Sequence, residues 1–130
     1  MAVGIAVGIA NSILDALCRS VAWTDQAQFW VKLHLGDPGA AGTTSPAANT
    51  TRQQATFSAA ASGSITTSAD LLWTNVSTTE TYSHISFWDA STGGTFLGSD
   101  ALDTARSVTA GDDFKIVSGS LTVNITIIAA

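Results

Sequence analysis

The sequence predicts a mainly β protein, an antiparallel β-sandwich of jelly-roll type with one short N-terminal α-helix. Three observations carry that expectation. Apolar residues recur every four positions only near the N-terminus, and from Gln28 onward they recur every two. The period-two runs are short and separated by turn residues. No strand pattern alternates with long helical patterns, as a parallel α/β sheet requires. Eight or nine strands at this spacing suit two packed antiparallel sheets. A chain of 130 residues with 45% apolar content fills one hydrophobic core and not two. The expected organisation is an arm and helix over residues 1–20, followed by a single β-sandwich domain over residues 21–130.

The helix rests on Ile5, Ile9, Ile13 and Leu17, with Asn11, Ser12, Asp15 and Arg19 off that stripe. Gly4 and Gly8 each weaken a helix by about 1 kcal/mol relative to Ala, so the helix is expected over residues 8–20 and an extended arm ahead of it. Such a stripe must be buried on its own domain or on a neighbour. Together with Trp23 and Trp30, which bracket the joint between helix and first long strand, it forms the candidate protein interface. In that strand Phe29, Val31, Leu33 and Leu35 share one face, while Trp30, Lys32 and His34 point the other way. Gly36-Asp37-Pro38-Gly39 ends it. Residues 40–51 form a loop without periodicity, of a length usually functional or mobile. Further strands are expected at 52–58, 64–68, 71–74, 82–89, 95–99, 107–109, 114–117 and 121–128. Turns at 89–94, 110–112 and 118–120 separate the later ones. In the last strand Leu121, Val123, Ile125 and Ile127 are expected to face inward, and Thr122, Asn124 and Thr126 outward.

Ala, Thr, Ser and Gly make up half of the chain, and charged residues only 12%. The formal charge is −5, and the five cations (Arg19, Lys32, Arg52, Arg106, Lys115) are dispersed. A nucleic-acid backbone or an anionic membrane surface needs a clustered basic face, so neither is an expected partner. Cys18 stands alone, which excludes an internal disulfide and a thiolate metal cluster. The uncharged N-terminal run is shorter than the ~20 residues of a membrane span and is broken by Asp15. His34 and His84 are the available imidazole bases, and no G-x-S-x-G elbow accompanies them. Asp100 with Asp103, and Asp112 with Asp113, lie at turns, where carboxylates cap their own backbone. No calcium-type loop or phosphate-cradling glycine loop is present. The expectation is no catalytic residue, no cofactor and no metal. Trp73 and Trp88 follow apolar neighbours and belong to the core, whereas a ladder of exposed tryptophans would have pointed to carbohydrate stacking.

Several segments, in order, carry a resemblance: residues 31–43 (VKLHLGDPGAAGT), 51–57 (TRQQATF), 72–76 (LWTNV), 82–90 (YSHISFWDA), 92–98 (TGGTFLG) and 108–114 (VTAGDDF). Together they are similar to a family of small virion structural proteins of tailed phages, especially those of actinobacteria. Its members are labelled head decoration, minor tail or tail-fibre-like proteins. The arm at residues 1–8 exceeds the starts associated with that family. The resemblance implies a non-enzymatic virion component. No heptad, collagen-like triplet or longer repeat of the kind that extends free-standing fibres is evident. A compact acidic sandwich with a short apolar arm then suits capsid decoration: a protein on the outer capsid surface, bound to the major capsid protein and to copies of itself as a trimer. The alternative within the same class is a minor tail, tail-tip or fibre-like protein. The alternative of another class is a carbohydrate-binding module engaging host-surface glycans.

Overall fold

The computed structural model of the chain describes residues 3–23 and 28–125. Its elements in order are β1 (Gly4–Ile5), α1 (Val7–Arg19), β2 (Trp30–His34), β3 (Gln53–Gln54), β4 (Ser64–Thr66), β5 (Leu71–Trp73), β6 (Glu80–Trp88), β7 (Phe96–Val108), β8 (Phe114–Ile116) and β9 (Thr122–Asn124). The protein is mainly β with one short N-terminal helix, as its periodicities predict.

Alternation decides how the main sheet is filled. Its order is β1-β7-β6-β2-β3, antiparallel throughout. Register sets Val31 against Phe87 and Leu33 against Ile85 on the inner face, and Trp30 against Trp88, Lys32 against Ser86 and His34 against His84 on the outer face. The other layer consists of the pairs β4–β9 and β5–β8. These are successive halves of one long ribbon: Thr66 pairs with Thr122 and Leu71 with Ile116, so residues 67–70 face the one-residue-longer stretch 117–121. The joint is held by Thr67 N–H to Leu121 O (3.1 Å), Gly119 N–H to Thr67 O (2.8 Å) and Ser118 N–H to the Asp70 carboxylate (2.7 Å).

One segment belongs to both layers. Gln53 and Gln54 pair with Val31 and Trp30, and a few residues later Ser58 N–H reaches Thr66 O (2.9 Å) while Ser68 N–H reaches Thr56 O (2.8 Å). That strand closes one side of the sandwich. Inside, Trp73 lies 5.7 Å from Phe114, and Phe114 lies 5.0 Å from Tyr82, so aromatic rings join ribbon to sheet. Val31, Leu33, Leu71, Val76, Ile85 and Leu121 share the same buried cluster.

Three details differ from the sequence reading. The stretch 95–109, expected as two short strands, is the single strand β7. Between the pairs Tyr82–Arg106 and His84–Ala101, β6 places one residue where β7 places four, and this bulge erases the alternation that marks a strand. Ile125, expected to face inward, lies past the end of β9 at the tip of the ribbon, where its N–H bonds Gly63 O and its side chain is 69% exposed; Thr126 and Ile127 lie outside the described residues. Leu35, expected on the core face, lies past the end of β2 and is exposed.

The loop after β2 packs over the outer face of the main sheet. Leu35 N–H bonds Ser45 O (2.9 Å) and Ala47 N–H bonds Leu33 O (3.2 Å), while Pro38, Gly42 and Ala47 are buried. Gly42 adopts a positive φ of 70°, and a Cβ there would enter the Phe96 ring.

The arm is stitched to β7: Gly4 pairs with Ser99, Ile5 with Gly98, and Ala6 N–H bonds Leu97 O at 2.9 Å. Gly98 permits this approach, since a Cβ there would sit 2.5 Å from Gly4 O. Gly98→Ala is therefore expected to lift β1 from β7. Hydrogen exchange should show loss of protection at the Ala6 amide, with global stability changed by less than about 1 kcal/mol. Undiminished protection at Ala6 would mean that the arm is held by something other than this pairing.

Candidate interaction surface

Helix α1 opens at Ala6 without a side-chain cap and ends at Ser20 in the left-handed conformation, where Val21 N–H bonds Asp15 O (3.3 Å). Its charged residues neutralise each other through an exposed Arg19–Asp15 contact of 2.9 Å. No residue of α1 is buried. A four-residue spacing advances about 40° around a helix at each step, so Ile5, Ile9, Ile13 and Leu17 do not stay on one face. Ile9 packs against the core, Ile13 is 36% exposed, and Ile5 is in β1 and half exposed. Leu17 points to solvent at 79% exposure, alongside Val7 (77%) and Leu14 (57%), with Val21 exposed beyond the cap. Val7, Ala10, Leu14, Leu17 and Val21 are spaced three and four residues apart in alternation, which is the spacing of a helix-pairing seam. The expected single stripe is thus two: a partly covered one around Ile9, and an uncovered one on which Val7, Leu14 and Val21 were not recognised. Within the helix this alternating spacing runs over Val7, Ala10, Leu14 and Leu17, and Val21 follows beyond the left-handed Ser20. A test for alternating three- and four-residue spacing would have found them.

Of the two tryptophans bracketing the joint, Trp23 is exposed. Trp30 is half-buried on the outer sheet face beside Trp88, its Nε1–H donating to Gln28 Oε1 (2.8 Å). Trp73 and Trp88 are buried, leaving no row of exposed tryptophans on which a sugar could stack. The Arg52 guanidinium lies 4.2 Å over the Trp88 ring and donates to Ala90 O (2.7 Å) and Gly93 O (2.8 Å), closing the 89–95 turn.

The remaining candidate chemistry is divided: His34 is enclosed, His84 is half-buried with its Nδ1 2.8 Å from Ser83 Oγ, and the four aspartates lie at the surface. His34 and Ser86 are both 0% exposed. The Thr44 carbonyl (2.8 Å) can only accept, so His34 Nδ1 carries the proton; Nε2 then accepts from Ser86 Oγ–H (2.8 Å), and Ser86 Oγ accepts from Trp88 Nε1–H (2.8 Å). This serine–imidazole contact offers a substrate no access. Burial chiefly, with help from Lys32 and His84 and against the Thr44 and Ser45 carbonyls, holds the His34 imidazole below its ordinary pKa. Asp112 accepts from Thr109 N–H (2.9 Å) and Asp113 from Asn75 N–H (2.8 Å), both capping turns. Asp100, Asp103, Arg106 and Lys115 line an open groove of about 680 Å³ between β7 and β8, floored by Ile85, Phe114 and Ile116. Among the described residues no three His, Cys, Asp or Glu side chains gather in a way that would hold a metal ion, and no helix is long and apolar enough to cross a membrane.

A family model described as Podophage GP4 fiber I protein gp80 matches residues 4–124. The chain belongs to this gp80 family. The match begins with the first residue of β1 and ends with the last of β9, so it spans the arm, α1 and both layers. From Gly4 onward the arm is part of what the gp80 family shares, not an addition to it. No curated protein matches the chain.

Proposed function

We propose that this gp80-family chain is a non-enzymatic structural component of the phage virion, built into the tail as a fibre or tail-tip protein. The single observation that carries this reading is the match of nearly the whole chain to a fibre-protein family. It favours the fibre alternative over capsid decoration. The partners under this reading are neighbouring tail proteins and copies of the chain itself, with no nucleic acid, membrane or cofactor. An enclosed imidazole and turn-capping carboxylates agree with a structural role.

Immunogold labelling of intact virions, with quantitative mass spectrometry of copies per particle, tests the location. The expected result is label confined to the tail and a small copy number matching tail symmetry. Hundreds of copies with label spread over the shell would overturn the tail assignment and establish capsid decoration.

A further inference from the structure

We infer that the exposed face of α1 is a self-association seam, on which the Val7, Leu14, Leu17 and Val21 side chains of one chain pack against the same residues of a second copy. Eight of the twelve large apolar side chains exposed among the described residues fall between Val3 and Trp23. Scattered apolar exposure is ordinary on a soluble surface, but its concentration on one short segment marks an interaction site.

Three features identify the occupant as another copy. The three-and-four spacing fits the knobs and holes of a facing helix, and among the described residues α1 is the one helix that could supply them. Next, the positions flanking the seam, Asn11, Ile13, Cys18 and Ser20, are uncharged, and the charged pair of the helix, Asp15 and Arg19, neutralises itself. Two identical copies therefore meet no like-charge repulsion, and a charged foreign surface would find no counter-charge. Finally, Val7, Leu14 and Leu17 are 77%, 57% and 79% exposed, so pairing with a second copy removes this apolar surface from water on both partners at once. This inference is independent of where in the virion the protein sits.

Sedimentation equilibrium of the full chain is the test. The wild type is expected to associate with concentration beyond its 13.3 kDa monomer mass. The double variant Leu14→Lys, Leu17→Lys places two cations on each face and is expected to weaken association roughly 100-fold or more. Leu14→Ser, Leu17→Ser removes the apolar surface without adding charge and guards against an effect of charge on folding; Ser12→Lys, off the seam, should associate as wild type. Circular dichroism confirms that each variant keeps its β structure. A wild type that stays monomeric at every attainable concentration overturns the inference, as does association undiminished in both double variants.

Discussion

Trp73→Ala is expected to remove about 3–5 kcal/mol of folding stability, a large share of the 5–15 kcal/mol typical of a single domain. The indole is 1% exposed and bears on Phe114, which in turn meets Tyr82 of β6. Its loss would leave a cavity beside the Phe114–Tyr82 contact that couples the ribbon layer to the main sheet, and that ribbon is only two strands wide. The Nε1–H also donates to Thr51 O (2.8 Å), tying the end of the long loop to the ribbon. Trp73→Phe separates the two contributions. It keeps most of the ring volume and gives up the hydrogen bond, whose net worth is about 1 kcal/mol. Urea unfolding of both variants against wild type provides the measurement. A Trp73→Ala loss within about 1 kcal/mol of zero would show that the two layers are held together elsewhere.

Much of this architecture is legible in the chain because alternation is a local signal. Val31 and Leu33 announce the core face of β2 by spacing alone, and the Gly93-Gly94 turn sets the ends of β6 and β7. What escapes is what depends on partners far along the chain. The bulge in β7 is a mismatch with β6, and nothing within residues 101–106 signals it. The outer face of β2 looks solvent-facing in sequence, since Lys32 and His34 are polar, yet the following loop folds back and buries His34 against Ser86. The helix shows a third kind of failure. Its four-residue spacing is conspicuous, but rotation along the helix carries Leu17 away from Ile9, and the less conspicuous set beginning at Val7 is the one left uncovered. Of the candidate interface residues on the helix, Ile9 is partly covered and Leu17 stays exposed.

Acidification from pH 7 to 5 is expected to destabilise the protein through His34. The hydrogen bonds around this ring suit only its neutral form. Protonation would turn Nε2 into a donor, forcing the Ser86 hydroxyl to surrender that acceptor while it still accepts from Trp88. With its pKa held below the ordinary 6.5, folded His34 binds its proton less tightly than the unfolded chain does, so unfolding takes a proton up. The contribution is complete above pH 6.5 and is lost as pH falls from there through the folded-state pKa, with a slope approaching about 1.4 kcal/mol per pH unit. The exposed Asp70 carboxylate, drawn below its usual range by the Ser118 N–H and Lys115, acts in the same direction but only at more acidic pH. His34→Gln retains an amide able to donate to Thr44 O and carries no titrating proton. Chemical denaturation at several pH values should give a steep decline for the wild type and a markedly flatter one for His34→Gln, even where the variant starts from lower stability. Equal slopes for the two proteins would remove His34 as the source of the acid sensitivity.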